Sequence, residues 1–447
     1  MVAMMAASIM ADWPKYETRA VWLTTIGGLD WPSSYSAPSQ QAELCHILDK
    51  LQEININTIL IQTRIRASVI YPSDIEPWDG CMTGKIDKSP GYDPLKFVID
   101  ECHRRGMELH AWVVTIPVGK WNSRPTRLLR SRYPSTIKRI DDEGYMDPSS
   151  PYTASYLANI CREITKNYDI DGIHLDYIRY PENWKERIDA NYARQNITNI
   201  VSAIHDAVKA EKPWVKLSCS PIGKFDDLTR YKSLGWNAYS AVYQDAQGWL
   251  ANGLIDMLFP MMYFRNDQFF PFALDWKEHS PNGSVAAGLG IYFLDPKESS
   301  RGKEWSLDDV RRQLYFIRQN GIGQCFFRTR YLINNTKGIY DLLLNEINLY
   351  PALVPELISD QRQVVDQKNT PLKLTIDRHS MHDLLVWTNV STRYNVYASF
   401  TFPVDTTNPE NLIAVNYTKN GIAVPHPAWQ YLFYAIKPVD RFGKETK

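Results

Sequence analysis

The segment Asp171 to Pro181, DGIHLDYIRYP, sets a carboxylate, a tyrosine and an arginine directly after a short apolar run. Alternation puts Ile173 and Leu175 on one face and His174 and Asp176 on the other, so the run reads as a buried strand ending at Asp176. A carboxylate at such a strand end can give or take a proton, while Tyr177 and Arg179 beyond it can orient that carboxylate or a ligand. In a parallel barrel, chemistry is assembled at the C-terminal ends of the strands. Asp176 is therefore the leading catalytic candidate; its plainer role would be tying the strand end to an arginine or a backbone amide.

The elements that must position it alternate from about Glu17 to Tyr350. Eight strands are predicted: Arg19 to Thr24, Thr58 to Thr63, Glu108 to Val114, Gly172 to Tyr177, Lys216 to Ser220, Met257 to Tyr263, Ala286 to Tyr292 and Gln324 to Arg328. Amphipathic stretches lie between them at Gln40 to Glu53, Pro94 to Arg105, Tyr152 to Tyr168, Asn191 to Lys209, Tyr239 to Asn252 and Leu307 to Asn320. Eight such units predict an α/β fold, a (β/α)8 TIM barrel over residues 12–350. A doubly wound sheet is the rival, but TTIGGLDWP after the first strand spaces its glycines wrongly for a phosphate loop. Residues 351–366, opening with PALVPEL, read as a linker. Residues 367–447 carry the short alternating segments LKLTID, DLLVWTN, RYNVYASF, LIAVNYT and WQYLFYAIKPVDRFG, which predict a small all-β, fibronectin type III-like sandwich.

Fifty basic and fifty acidic side chains give no net charge, which removes a general pull toward nucleic acid or an anionic membrane. No run reaches the length of a membrane span, and six cysteines without CxxC spacing read as buried thiols. Met1 to Ala11 is apolar and rich in small residues without a basic start, consistent with the remnant of an export signal and hence a periplasmic or secreted protein. Two connections are long, Arg64 to Tyr92 and Thr115 to Pro151, and long loops after barrel strands wall a cleft. They carry Trp78, Trp121, Tyr133 and Tyr145, flat rings that either stack on a sugar or pin their own loops.

The runs IQTRIRASVIYPSDIEPW (from Ile61), PGYDPLKFVIDECHRRGMELHAW (from Pro90), DGIHLDYIRYP, SCSPIGK (from Ser218), QDAQGWLANGLIDMLFPMMYF (from Gln244) and GLGIYF (from Gly288) resemble the bacterial glycosyl-hydrolase-like ten family. The resemblance is collinear from roughly Glu17 to Tyr350. It implies a TIM-barrel hydrolase of cell-wall or related glycans, often exported, with a branch that cleaves peptidoglycan strands, and often a C-terminal sandwich. The chain departs from the family's pattern in three places. It has Ala67-Ser68-Val69 in place of Gly-Asp-Ala, Val113-Val114-Thr115 in place of Asn-Pro after the third strand, and a single Asp176 in place of paired aspartates.

Glycosidic cleavage needs one carboxylate as nucleophile or base and one carboxylic acid for the leaving oxygen. Beside Asp176, the candidates for the second are Glu182 in the same loop and Asp267 in YFRND, with Asp245 and Asp295 weaker and Asp245 better read as a helix cap. Arg64, Arg179 and Arg328 at strand ends can fork onto carboxylates of the protein or of a uronic or muramic acid. Trp112, Tyr177, Tyr263 and Tyr292 are candidates to floor a sugar subsite, with core packing as the alternative for the last two. His110 and His174 face inward and can bind a sugar hydroxyl; with Asp176 they also suggest a metal-dependent deacetylase. No further ligand stands at metal-binding spacing, so no metal or other cofactor is expected. The expectation is a glycosidase acting on a bacterial polysaccharide, against a non-catalytic glycan-binding barrel or a deacetylase.

Overall fold

Eight parallel strands close into a barrel in a computed structural model that describes residues 13–280, 283–299, 304–358, 371–428 and 431–446. The chain opens with β1 (Arg19–Leu23), β2 (Thr58–Arg64) and β3 (Glu108–Val114). It then leaves the barrel to form a small antiparallel sheet from β4 (Pro117–Lys120), β5 (Ile137–Ile140) and β6 (Glu143–Met146). The barrel resumes with β7 (Gly172–Asp176), β8 (Lys216–Ser220), β9 (Met257–Leu258), β10 (Ser284–Leu289) and β11 (Gly323–Phe326), which pairs back onto β1.

The alternation of the strands divides the core in two. Val21, Leu23, Ile59, Ile61, Leu109, Ile173, Leu175 and Leu217 point outward into the shell of helices. Ala20, Trp22, Leu60, Trp112, Phe259, Ala286 and Cys325 fill the barrel interior. Burying each large apolar side chain contributes roughly 1.5–3 kcal/mol, so this two-sided burial is what holds the strands in register. Helices Pro94–Arg104 and Pro151–Asn167 start at prolines, whose missing N–H costs nothing in a first turn.

Three predicted elements come out shorter or broken. The sixth barrel strand keeps only Met257–Leu258, because Pro260 has no N–H for the ladder; beyond it only isolated bridges at Met261 remain. The helix expected over Tyr239 to Asn252 splits into Ala238–Ala241 and Ala246–Ala251, with Tyr243 at φ +62° between them and Asp245 capping the second piece. The seventh strand ends at Leu289, and Ile291–Leu294 turns into a short 3-10 helix.

The C-terminal part forms two three-stranded antiparallel sheets. One contains β12 (Leu374–Arg378), β13 (His382–Trp387) and β16 (Gly421–Pro425); the other contains β14 (Arg393–Ser399), β15 (Leu412–Tyr417) and β17 (Phe433–Val439). Leu385, Trp387, Tyr394, Val396 and Ile436 from both sheets share one core. The beginning of the expected linker is not a free tether: Ala352, Leu353, Val354 and Leu357 are buried, and Leu353 packs on Tyr397 and Leu412. Residues 359–366 of it, and Met1 to Ala11, lie outside the described residues.

These sheets sit against the N-terminal end of the barrel, opposite the strand ends expected to carry chemistry. Arg393 pairs with Asp171 at 2.8 Å, Arg441 with Asp169 at 3.0 Å and Lys15 with Glu445 at 2.6 Å. Contact is close enough to demand Gly106: at φ +73° a Cβ there would lie 2.1 Å from the Val415 carbonyl oxygen. Among the described residues, no helix is long and apolar enough to cross a membrane.

Candidate active site at the barrel mouth

The barrel interior is built in layers, and the layer decides what each inward side chain can do. At the floor, Lys216 Nζ bonds both oxygens of Glu108, at 2.6 and 2.9 Å, and His110 Nε2 lies 3.2 Å from Glu108 Oε2. Burial alone would raise the Glu108 carboxyl, but the Lys216 ammonium and His110 together outweigh it and hold the group below its ordinary range. The His110 ring occupies the space beside Gly172, where a Cβ would fall 2.5 Å from Nδ1. In the middle layer, the Trp22 indole donates to His174 Nε2 at 3.1 Å and His174 Nδ1 lies 2.9 Å from Ser218 Oγ. Because Nε2 must accept from the indole, the ring proton sits on Nδ1. Burial, then the neighbouring His110, pushes His174 well below its ordinary value and keeps it neutral.

Asp176 forms the top layer. Trp112 Nε1 donates to its Oδ2 at 3.1 Å, while the Tyr177 amide at 2.8 Å and the Ser220 hydroxyl at 3.0 Å donate to Oδ1. The residue is half-buried. Burial raises its pKa, and the donors Ser220 and Trp112 with the Arg179 charge offset this only in part.

Glu182 is tied to Asp176 through one residue. Tyr177, at φ +56°, gives its amide to Asp176 and its hydroxyl to Glu182 Oε2 at 2.7 Å. Arg179 Nη1 donates to the same Glu182 oxygen at 2.8 Å, and its guanidinium lies 3.8 Å over the Tyr177 ring. Burial works to raise Glu182, but the Tyr177 hydroxyl and the Arg179 charge prevail and hold it below the usual carboxylate range. The excursion sheet brings Tyr145 to this group; burial raises its hydroxyl first, with Glu143 and Glu182 adding to the effect.

The other candidates disperse. Asp267 is exposed on the turn Asn266–Gln268, where its charge acts on Lys224. Arg64 is fully buried and saturated by Glu76, at 2.7 to 3.0 Å, and by the Val114 and Thr115 carbonyls, so its guanidinium ties two loops together. Arg328 is likewise held by Asp30 at 2.7 Å. His110 and His174 lie beneath the rim with their partners inside the barrel. Tyr263 and Tyr292 meet edge to face at 5.7 Å beside Phe327 at the mouth. Trp78 is half-buried where its loop bridges back to Val69, and Trp121 lies under Arg130 at 3.9 Å. Asp245 caps its helix through the Gly248 amide, and Asp295 accepts from the Lys297 amide.

Sequence reasoning missed Ser220 and Trp236. Ser220 ends its strand in register with Asp176, a pairing that strand alignment could have suggested. Trp236 stands in an irregular loop, its ring 5.8 Å from the Arg179 guanidinium, with no sequence signal to place it. Among the described residues, no group of three or more His, Cys, Asp and Glu is placed to hold a metal. His174 is engaged at both nitrogens and His110 sits on the floor, so the residues of the deacetylase reading do not fit a metal centre.

A closed parallel barrel with carboxylates, arginine and aromatic rings at its C-terminal rim has its polar groups where barrel enzymes assemble their chemistry. The chain belongs to the Glycosyl hydrolase-like 10 family, whose model matches residues 17–189 and 181–286. It is 29% identical over 381 residues to "Glycosyl hydrolase YngK" of Bacillus subtilis (strain 168), covering 76% of this chain and 74% of that protein. It is 30% identical over 286 residues to "Glycosyl hydrolase DigH" of Escherichia coli (strain K12), covering 55% of this chain and 65% of that protein. Among solved structures, the catalytic domain of a β-amylase from Paenibacillus polymyxa aligns with a TM-score of 0.50 at 9% identity, over 75% of this chain and 99% of that one, a likeness of fold alone.

Proposed function

We propose that the chain is a glycosidase that hydrolyses a bacterial cell-wall or related polysaccharide, with peptidoglycan strands as the first substrate to test. One observation carries this reading: two carboxylates at the barrel mouth, bridged by Tyr177, are pushed in opposite directions, Asp176 up and Glu182 down. Carboxylates whose environments separate them in this way divide into acid and base. Asp176 donates its proton to the leaving glycosidic oxygen as the C–O bond breaks. Glu182, ionised, serves the anomeric carbon, either taking a proton from the attacking water or attacking as nucleophile. Trp112 and Ser220 aim Asp176; Arg179 and Tyr177 aim Glu182.

The C-terminal sheets act in this reading as a fibronectin type III-like support for the barrel floor, away from the chemistry. The export expected from the family resemblance would place the protein in the periplasm or outside the cell. Neither a nucleic acid nor a metal enters the scheme. The test is incubation with purified, peptide-free peptidoglycan strands and a polysaccharide panel, followed by mass analysis. Cleavage by the parent chain that is lost in Asp176→Asn and Glu182→Gln supports the proposal. Binding without any turnover would instead favour a glycan-binding barrel, a reading supported by Ala67-Ser68-Val69 standing where the family resemblance implies an acid.

A further inference from the structure

Among the described residues, Trp236 is the exposed tryptophan, at 38%, and it stands at the catalytic rim. Hydrogen bonds on both sides constrain its segment although its ring is open. Leu234 at φ +61° and Gly235 at φ +75° turn the chain sharply before it. Asp227 supplies part of that constraint by accepting from both the amide and the hydroxyl of Ser233. Asn237 supplies the rest: its amide donates to Ser233 Oγ at 3.2 Å and its carbonyl caps the helix Ala238–Ala241. The indole stands beside Arg179, which in turn holds Glu182.

Ring placement around the mouth is two-sided. Tyr145, Tyr177 and Trp236 follow the third, fourth and fifth barrel strands, β3, β7 and β8, and gather around Arg179 and Glu182. Tyr263, Tyr292 and Phe327 follow β9, β10 and β11 on the other half of the rim and contact one another at 5.5 to 5.9 Å. Asp176 acts electrostatically on Tyr263 and bonds the Tyr177 amide, so it lies between the two banks. Amphipathic rings on both halves of the rim suit a polymer that enters on one side and leaves on the other.

We propose that Trp236 is a sugar-stacking subsite beyond Glu182 and that the mouth takes an internal stretch of a glycan chain. This rests on the glycosidase reading above and adds the length of substrate it recognises. The experiment uses the full chain carrying Asp176→Asn, so that bound sugars persist, with and without Trp236→Ala or Trp236→Phe. Calorimetry is run against the disaccharide and hexasaccharide of β-1,4-linked N-acetylglucosamine and against peptide-free peptidoglycan strands. Trp236→Ala should weaken the hexasaccharide or the strands by about 2- to 10-fold, the range of one lost aromatic contact, with Trp236→Phe closer to the parent and the disaccharide unaffected. With the catalytic pair intact, Trp236→Ala should raise KM and leave kcat unchanged. Equal binding of long sugars by the parent and Trp236→Ala would overturn the subsite while leaving the glycosidase standing. Failure of the parent to bind any of these probes, together with no turnover by the unsubstituted chain, would overturn both.

Discussion

Trp112 and Asp176 are joined by an indole N–H to Oδ2 hydrogen bond of 3.1 Å across neighbouring barrel strands. In register, Asp176 pairs with Val114, so the indole reaches up one layer to meet the carboxylate. Trp112→Phe removes the donor and keeps most of the buried ring. A donor to a carboxylate contributes about 1.5–3 kcal/mol, so its loss should raise the Asp176 pKa further. The alkaline limb of kcat/KM should move to higher pH, with a lower plateau rate. A pH–rate profile reads this directly, and an unmoved limb would mean that the indole only packs.

Tyr177 predicts the mirror-image effect. Its hydroxyl helps hold Glu182 ionised, so Tyr177→Phe should raise the Glu182 pKa and shift the acid limb upward. The parent profile should be a bell: activity falls as pH drops through the lowered Glu182 value and also as it climbs through the raised Asp176 value. The optimum therefore lies between the two. A profile without an alkaline limb would contradict the assignment of Asp176 as the acid.

The floor of the barrel should control stability rather than rate. Glu108 and Lys216 are nearly fully buried, and Glu108→Ala leaves Lys216 unpaired, with an expected loss of about 3–5 kcal/mol in urea unfolding. The folded carboxyl is held below its ordinary value, so its contribution is present above the unfolded glutamate pKa of about 4.3 and is lost as pH falls through the lower folded value. A small, pH-independent change would show that the pair contributes little.

Arg393 tests how the C-terminal sheets are held. It is the module's partner for Asp171, which also accepts from His103 at 2.7 Å and from the Leu109 amide at 2.9 Å. Burial would raise Asp171, but Arg393 and His103 keep it strongly ionised. Arg393→Ala should destabilise the chain by on the order of 2 kcal/mol and speed proteolysis between the two parts, with kcat unchanged. An altered kcat would tie the module to the chemistry.

Asp176 was legible in the sequence because period-two alternation and an abrupt change from apolar to polar residues are local signals. The eight barrel strands were legible for the same reason, since both faces are covered and each strand reads as a short apolar run. The β4 to β6 sheet was not, because its strands hold four residues each and lie inside a loop with no clear period. The fates of Arg64 and Arg328 depend on Glu76 and Asp30, partners that only the folded chain brings near. Choosing Glu182 over Asp267 likewise required the backbone of Tyr177, whose left-handed turn carries amide and hydroxyl to different carboxylates.

The most direct measurement is the rate of product release from peptide-free peptidoglycan strands by the parent chain and by Asp176→Asn, with strand binding followed in parallel. The account predicts cleavage by the parent, a loss of at least about a thousandfold in the variant, and retained binding, since an amide keeps the shape but cannot supply the proton. Cleavage at an undiminished rate by Asp176→Asn would contradict it.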